Sequence, residues 1–255
     1  MTVQGNQGGS GYGQPPDTTV RPNTLASEAE RIEAAIRGNT AVQGSYLTQA
    51  FFWMFAGLLL TAAVGVLVQS NTTVLRFVAN NFLVILIAQF ALVMGISFGI
   101  RRLNATLALG LFFAYAASLG FTVMAIVLQV YSTASITTAF LSASAMFGGA
   151  ALYGYTTKRS LAGIGGILTM GIIGLVAASV VNIFWGSSTF SWILSIAGVV
   201  LFTVLTAFHV QRIAKGDLAV VAGSVEKAAV LGALLLYLDF VNLFLFLLRI
   251  FGERR

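Results

Sequence analysis

Runs of about 20 apolar residues constrain this chain more than any other feature, because that length crosses roughly 30 Å of hydrocarbon. Six stretches meet the requirement: residues 50–68, 82–100, 105–128, 136–155, 161–181 and 192–210. A seventh, residues 228–251, is long enough but carries Asp239 near its middle. Lipid offers no hydrogen bonds to the backbone, so each run predicts a helix, and the alternation of a barrel strand is missing. Short connections between runs predict an antiparallel bundle. Composition agrees: 58% of the 255 residues are hydrophobic and 9% are charged, against roughly 25% charged in soluble domains. The reading is an all-α membrane protein whose solvent is the bilayer.

Several function classes drop out. Without cysteine there are no disulfides, thiolate metal sites or cysteine nucleophiles. One histidine and eight carboxylates leave little for a metal cluster, and no nucleophile stands beside a base. No enzyme and no cofactor are therefore expected. A retinal-type receptor fails because the seventh run holds no lysine. The net charge of +6 follows from membrane topology and does not call for a nucleic-acid partner. With the N-terminus inside, Arg21, Arg31, Arg37, Arg101, Arg102, Lys158, Arg159, Arg212, Lys215 and Lys227 fall on inner segments. The outer loops hold Arg76 alone, so a cytoplasmic N-terminus is expected. Arg249, Arg254 and Arg255 emerge outside if the seventh run crosses fully, and stay inside if it is re-entrant. Crossing is favoured, because the first six spans already set the topology.

Residues 1–45 read as a tail. Its start is rich in Gly, Gln and Pro, which points to disorder and not to a secretory signal. Ser27 and Glu30 have capping-box spacing, and a short surface helix from Glu28 to Arg37 is expected. Dense small residues in SASAMFGGAALYGY and LAGIGGILTMGIIG predict close helix approach. Gln89 is expected to bond across helices. Phe51, Phe52, Trp53, Trp185 and Trp192 are expected to anchor at the interface.

Asp239 carries the strongest chemical signal. Mid-span, an aspartate costs about 2.5–3.5 kcal/mol to insert, so it must face protein or a wet cavity. It is either a neutral or paired structural carboxyl or an ion- or proton-linked group. Asn242 shares its face. On the sixth run Thr203, Thr206 and His209 recur every three residues, with Arg212 beyond them. That stripe predicts a face turned to the bundle interior. His209, the only histidine, is either interfacial or part of that interior site. Arg101 and Arg102 either anchor at the membrane surface or turn inward to a carboxylate.

Three stretches resemble the Bax inhibitor family: YLTQAFFWMFAGLLLTAAVG, ALYGYTTKRSLAGIGGILTMGIIGLVAASVVNIF and LYLDFVNLFLFLLRIFG. The likeness runs from about Tyr46 to Gly252. It implies six helices around a central seventh and, in several members, a pH-sensitive calcium leak. It also implies residence in a bacterial inner membrane, or a role modulating a membrane protease. The family's sensor is a pair of aspartates latched by an arginine that ends the second span. One acid matches Asp239, and Arg101 or Arg102 matches the latch. The other acid is replaced, because AFHVQRI places His209 there and keeps Gln211 two residues on. The implied sensor is therefore an imidazole facing a carboxylate, with Asn242, Thr206 and Gln211 in support. Calcium prefers oxygen ligands, so weaker calcium conduction than in two-aspartate members is expected. The arginine is expected to pair with Asp239.

Overall fold

The computed structural model describes residues 40–253. The expected helix from Glu28 to Arg37 and the basic residues Arg21, Arg31, Arg37, Arg254 and Arg255 lie outside the described residues. Among the described residues ten α-helices follow in order: α1 Thr40–Val68, α2 Thr72–Asn80, α3 Phe82–Gly99, α4 Ala105–Leu119, α5 Ala125–Val130, α6 Thr133–Thr156, α7 Gly165–Trp185, α8 Ser188–Ala214, α9 Asp217–Ala222 and α10 Val225–Phe251. A π-helical turn, Gly120–Met124, joins α4 to α5 as one span. Seven spans result, with α2 and α9 as short connecting helices. The chain is an all-α multi-pass membrane protein.

The spans start and stop where wet backbone groups can be capped. Asn71, Asn104, Ser132, Ser187 and Ser224 each accept a hydrogen bond from the first turn of the helix they precede. Gly186, at φ 62°, reverses the chain between α7 and α8. Gly216 and Gly223, at φ 78° and 80°, bracket α9. A side chain would strain these left-handed positions.

α10 is the axis of the bundle. It packs against α1, α4, α6, α8 and α9. Of its most apolar stretch 72% is buried, against 11% for α3 and for the fifth span around α7. The implied central seventh helix is what the fold contains. α10 runs unbroken for 27 residues, about 40 Å at the α-helical rise, which is a full crossing. Its end is clasped far from its start: Glu253 N–H donates to Ser135 Oγ at 3.0 Å, and Ser132 N–H to the Glu253 carbonyl at 3.4 Å.

Most polar groups inside the bundle pair off as lipid requires, Tyr46 Oη and Asn182 Oδ1 excepted. Gln89 of α3 donates to Ser118 Oγ at 3.2 Å and to Thr122 Oγ1 at 2.9 Å, the expected cross-helix bond. Tyr237 of α10 shares its hydroxyl bond with Thr61 of α1 and stacks edge-on with Phe112 and Tyr115. Of the expected anchors, Trp185, Trp192 and Phe52 are exposed. Phe51 and Trp53 instead meet Phe147 and Phe113 edge-on at 6.3 and 5.9 Å. Their position well inside α1 directs them to neighbouring helices.

The small-residue segments are split by position. Gly154 lets α6 approach the Ala207 backbone of α8, and Gly165 and Gly171 admit Phe208 and Leu201. Gly148, Gly149, Gly166 and Gly174 face open space. Gly154→Val should therefore destabilise the bundle by about 1–3 kcal/mol, the cost of overpacking. Gly148→Ala should be nearly neutral. Thermal unfolding of both variants in detergent checks the contrast.

Candidate functional site

α8 and α10 lie antiparallel at the centre. Gly198 receives the Phe246 ring, and at the other end Gly232 receives Ile213. This register sets His209 against Asp239. His209 Nδ1 and Asp239 Oδ2 are 2.6 Å apart. The side chains are 12% and 3% exposed, so the contact is nearly closed to solvent. Either the imidazole N–H donates to a carboxylate or a carboxylic acid donates to the ring; the tautomer decides.

Two facts set the electrostatics. The carboxylate is deep in apolar surroundings, where an unpaired charge is costly. Among the described residues, His209 is the ionisable side chain in contact with Asp239. The Arg212 guanidinium sits 5.4 Å over the Phe208 ring. The pair thus forms a short polar link between two helices, and among the described residues no Lys or Arg is paired with the acid.

The expected latch is not formed. Arg101 Nε donates to the Val221 carbonyl at 2.8 Å and Nη2 to the Val220 carbonyl at 3.4 Å. These carbonyls belong to the last turn of α9, where a helix leaves acceptors unfilled and favours a cation. Lys227 Nζ in turn donates to the Arg101 carbonyl at 3.1 Å. Arg102 is exposed and bonds to neither member of the pair. Arg101 therefore ties the end of α3 to the connection between α8 and α10.

The three supporting residues also have other partners. Thr206 donates to its own Phe202 carbonyl at 2.8 Å and Asn242 to Leu238 at 2.8 Å. In lipid, the carbonyl four residues back is the nearest acceptor such groups can find. Gln211 spans the connection between α6 and α7: its Oε1 accepts from Leu161 N–H at 2.7 Å, and its Nε2 donates to the Arg159 carbonyl at 2.8 Å. The stripe's face does turn inward, since Ser195, Val199 and Thr206 are buried. Sequence reasoning missed the Arg101–α9 tie and the Thr61–Tyr237 link. Neither leaves a local signal, because the partners are 120 and 176 residues apart.

A cavity of about 770 Å³ opens at the end of the bundle that bears Lys158 and Lys215. Gln211, Arg212, Lys215 and Asp217 line it, with the turn around Thr157 and Ser160. Among the described residues, no cluster of three or more His, Cys, Asp or Glu could hold a metal.

Residues 43–255 match the family described as inhibitor of apoptosis-promoting Bax1. The chain belongs to the Bax inhibitor family. It is 41% identical over 231 residues to the inner membrane protein YbhL of Escherichia coli K12, covering 88% of this chain and 98% of that one. An uncharacterized protein of Deinococcus radiodurans is 40% identical over 211 residues, covering 82% and 91%. One of Borreliella burgdorferi is 38% identical over 219 residues, covering 84% and 94%. In this Bax inhibitor family member, then, the helices that meet at the centre join through an imidazole and a carboxylate.

Removing one partner should expose the cost of the other. His209→Ala leaves a buried acid unpaired and should destabilise the protein by about 3 kcal/mol. Adding Asp239→Leu to that variant should restore most of the loss. A double-mutant cycle on unfolding midpoints in detergent measures the coupling.

Proposed function

We propose that this protein is a pH-sensitive cation leak of the calcium type, with His209 and Asp239 as its proton sensor. What carries the reading is the 2.6 Å contact between an imidazole and an almost fully enclosed carboxylate on two central helices. Intramembrane ionisable groups mark ion and proton paths by default. The basic end of the bundle faces the cytoplasm on this reading, and the protein resides in a bacterial inner membrane.

Counting charge gives the direction of gating. Two aspartates hold each other only while they share a proton, with net charge −1. An imidazole and a carboxylate remain bonded at net charge 0 and also at −1, because neutral imidazole still offers an N–H. Only a further proton, giving +1, leaves no anionic acceptor. The pair therefore loosens on acidification and stays closed as pH rises. Calcium gains one carboxylate from this pair where two acids would supply a second, so conduction should be weaker.

A second reading rests on the surroundings. The pair is sealed, and the cavity at the basic end carries Arg212 and Lys215, which repel cations. A regulatory or scaffold protein that modulates a membrane protease, without conducting, fits those observations.

Flux into proteoliposomes loaded with a calcium dye, scanned from about pH 8 to about pH 5, separates the two. The leak should be small and flat at the alkaline end and rise towards the acid end. His209→Asp should increase calcium flux several-fold, and Asp239→Asn should abolish it. Flux no greater than that of empty vesicles, for both wild type and His209→Asp at every pH, would sink the leak reading and leave the regulatory one.

A further inference from the structure

At the opposite end of the bundle from the basic cavity, α7, α8 and α10 enclose a second cavity of about 570 Å³. It reaches Ser179 and Asn182 of α7, Ser188, Ser191 and Trp192 of α8, and Arg249 of α10. The chemistry of this wall is uneven in a telling way. Arg249 is its one charged group. The guanidinium lies 5.9 Å from the Phe246 ring centroid and has no acidic partner among the described residues. Asn182 gives its amide N–H to Ser191 Oγ, while its buried Oδ1 has no donor. Exchanging the amide's two ends lets Ser191 donate, but then the amide nitrogen is stranded, so one atom stays unsatisfied either way. A buried amide left in this state costs free energy unless something else completes it.

We propose that this cavity binds one phospholipid headgroup whose phosphodiester is accompanied by a hydrogen-bond donor, such as an ethanolamine ammonium or a glycerol hydroxyl. The fit is reciprocal. Arg249 supplies a planar fork of donors to the phosphate oxygens. The unpartnered end of the Asn182 amide is enclosed by protein, and it takes the ammonium or hydroxyl once the side chain turns into the cavity. Phosphates of the bilayer lie at the level where spans end, and Arg249 stands in the last turn of α10. Ile183 and Trp192, both largely exposed, carry the cavity wall onto the membrane face, where acyl chains run. Leu194, buried, forms the floor. A phosphatidylcholine headgroup matches Arg249 equally well but has no N–H or O–H to offer Asn182. The site should therefore discriminate among lipids by donor as well as by charge.

The test is native mass spectrometry of the full chain released from nanodiscs. The discs contain phosphatidylcholine alone, or equal parts of phosphatidylcholine with phosphatidylethanolamine or phosphatidylglycerol. Wild type should retain one donor-bearing lipid in preference to phosphatidylcholine. Arg249→Gln should lower retention of all three by about tenfold, as expected for losing a charged hydrogen bond. Arg249→Lys should keep part of it. Asn182→Leu should keep retention but erase the preference over phosphatidylcholine. Unchanged retention in Arg249→Gln overturns the site. Equal retention of phosphatidylcholine by wild type overturns the role of Asn182. Displacement of the lipid by millimolar inorganic phosphate identifies a free-phosphate site and overturns the lipid assignment.

Discussion

The architecture depends on one acidic side chain at the middle of the most buried span. Asp239 is tolerable there only if protein surrounds it and a partner answers it. Enclosure requires helices on every side, and α10 has them: α1, α4, α6 and α8 pack along it and leave Asp239 nearly without solvent contact. The same enclosure brings Tyr237 of α10 to a partner in a neighbouring helix, whereas Asn242 bonds within α10. Tyr237 reaches Thr61 on α1 just as Asp239 reaches His209 on α8. The axis is thus pinned to two different helices by two polar links at nearly one level, within an otherwise apolar interface.

The answering group being an imidazole alters what the arginine at the end of α3 can do. Two acids would keep one negative charge in the site and attract a cation strongly. An imidazole and an acid can reach net zero without help. Arg101 is then free to satisfy the final carbonyls of α9, and it is found there. The tie is reinforced by Lys227 on the Arg101 carbonyl, which brings the ends of α3, α9 and α10 together outside the apolar core. The second span is held at its basic end by surface contacts and, deeper, by Gln89 on Ser118 and Thr122.

Much of this was legible in the sequence, and the rest failed for identifiable reasons. The spans follow from length and hydropathy, because a bilayer imposes one dimension on all of them. The meeting of His209 with Asp239 could be expected because the resemblance placed them opposite. The roles given to Thr206, Asn242 and Gln211 could not be expected correctly. Sharing a face with a site residue says nothing about whether a nearer backbone acceptor exists, and for Thr206 and Asn242 one does. Gln211 was read as support from its place two residues beyond His209. Two residues along a helix is about 200° around it, so its amide points to the connection at Arg159 and Leu161 instead.

The two ends of the bundle also differ in a way that charge counting alone obscures. At the basic end, cations are numerous and two are spent on backbone carbonyls, Arg101 on α9 and Lys227 on Arg101. Their bonds close the connections between helices. At the far end Arg249 borders a cavity where no carboxylate or carbonyl of the described residues engages it. Arg249 stands in the last turn of the central helix with its guanidinium unpaired, and where a span ends the abundant anion is a lipid phosphate.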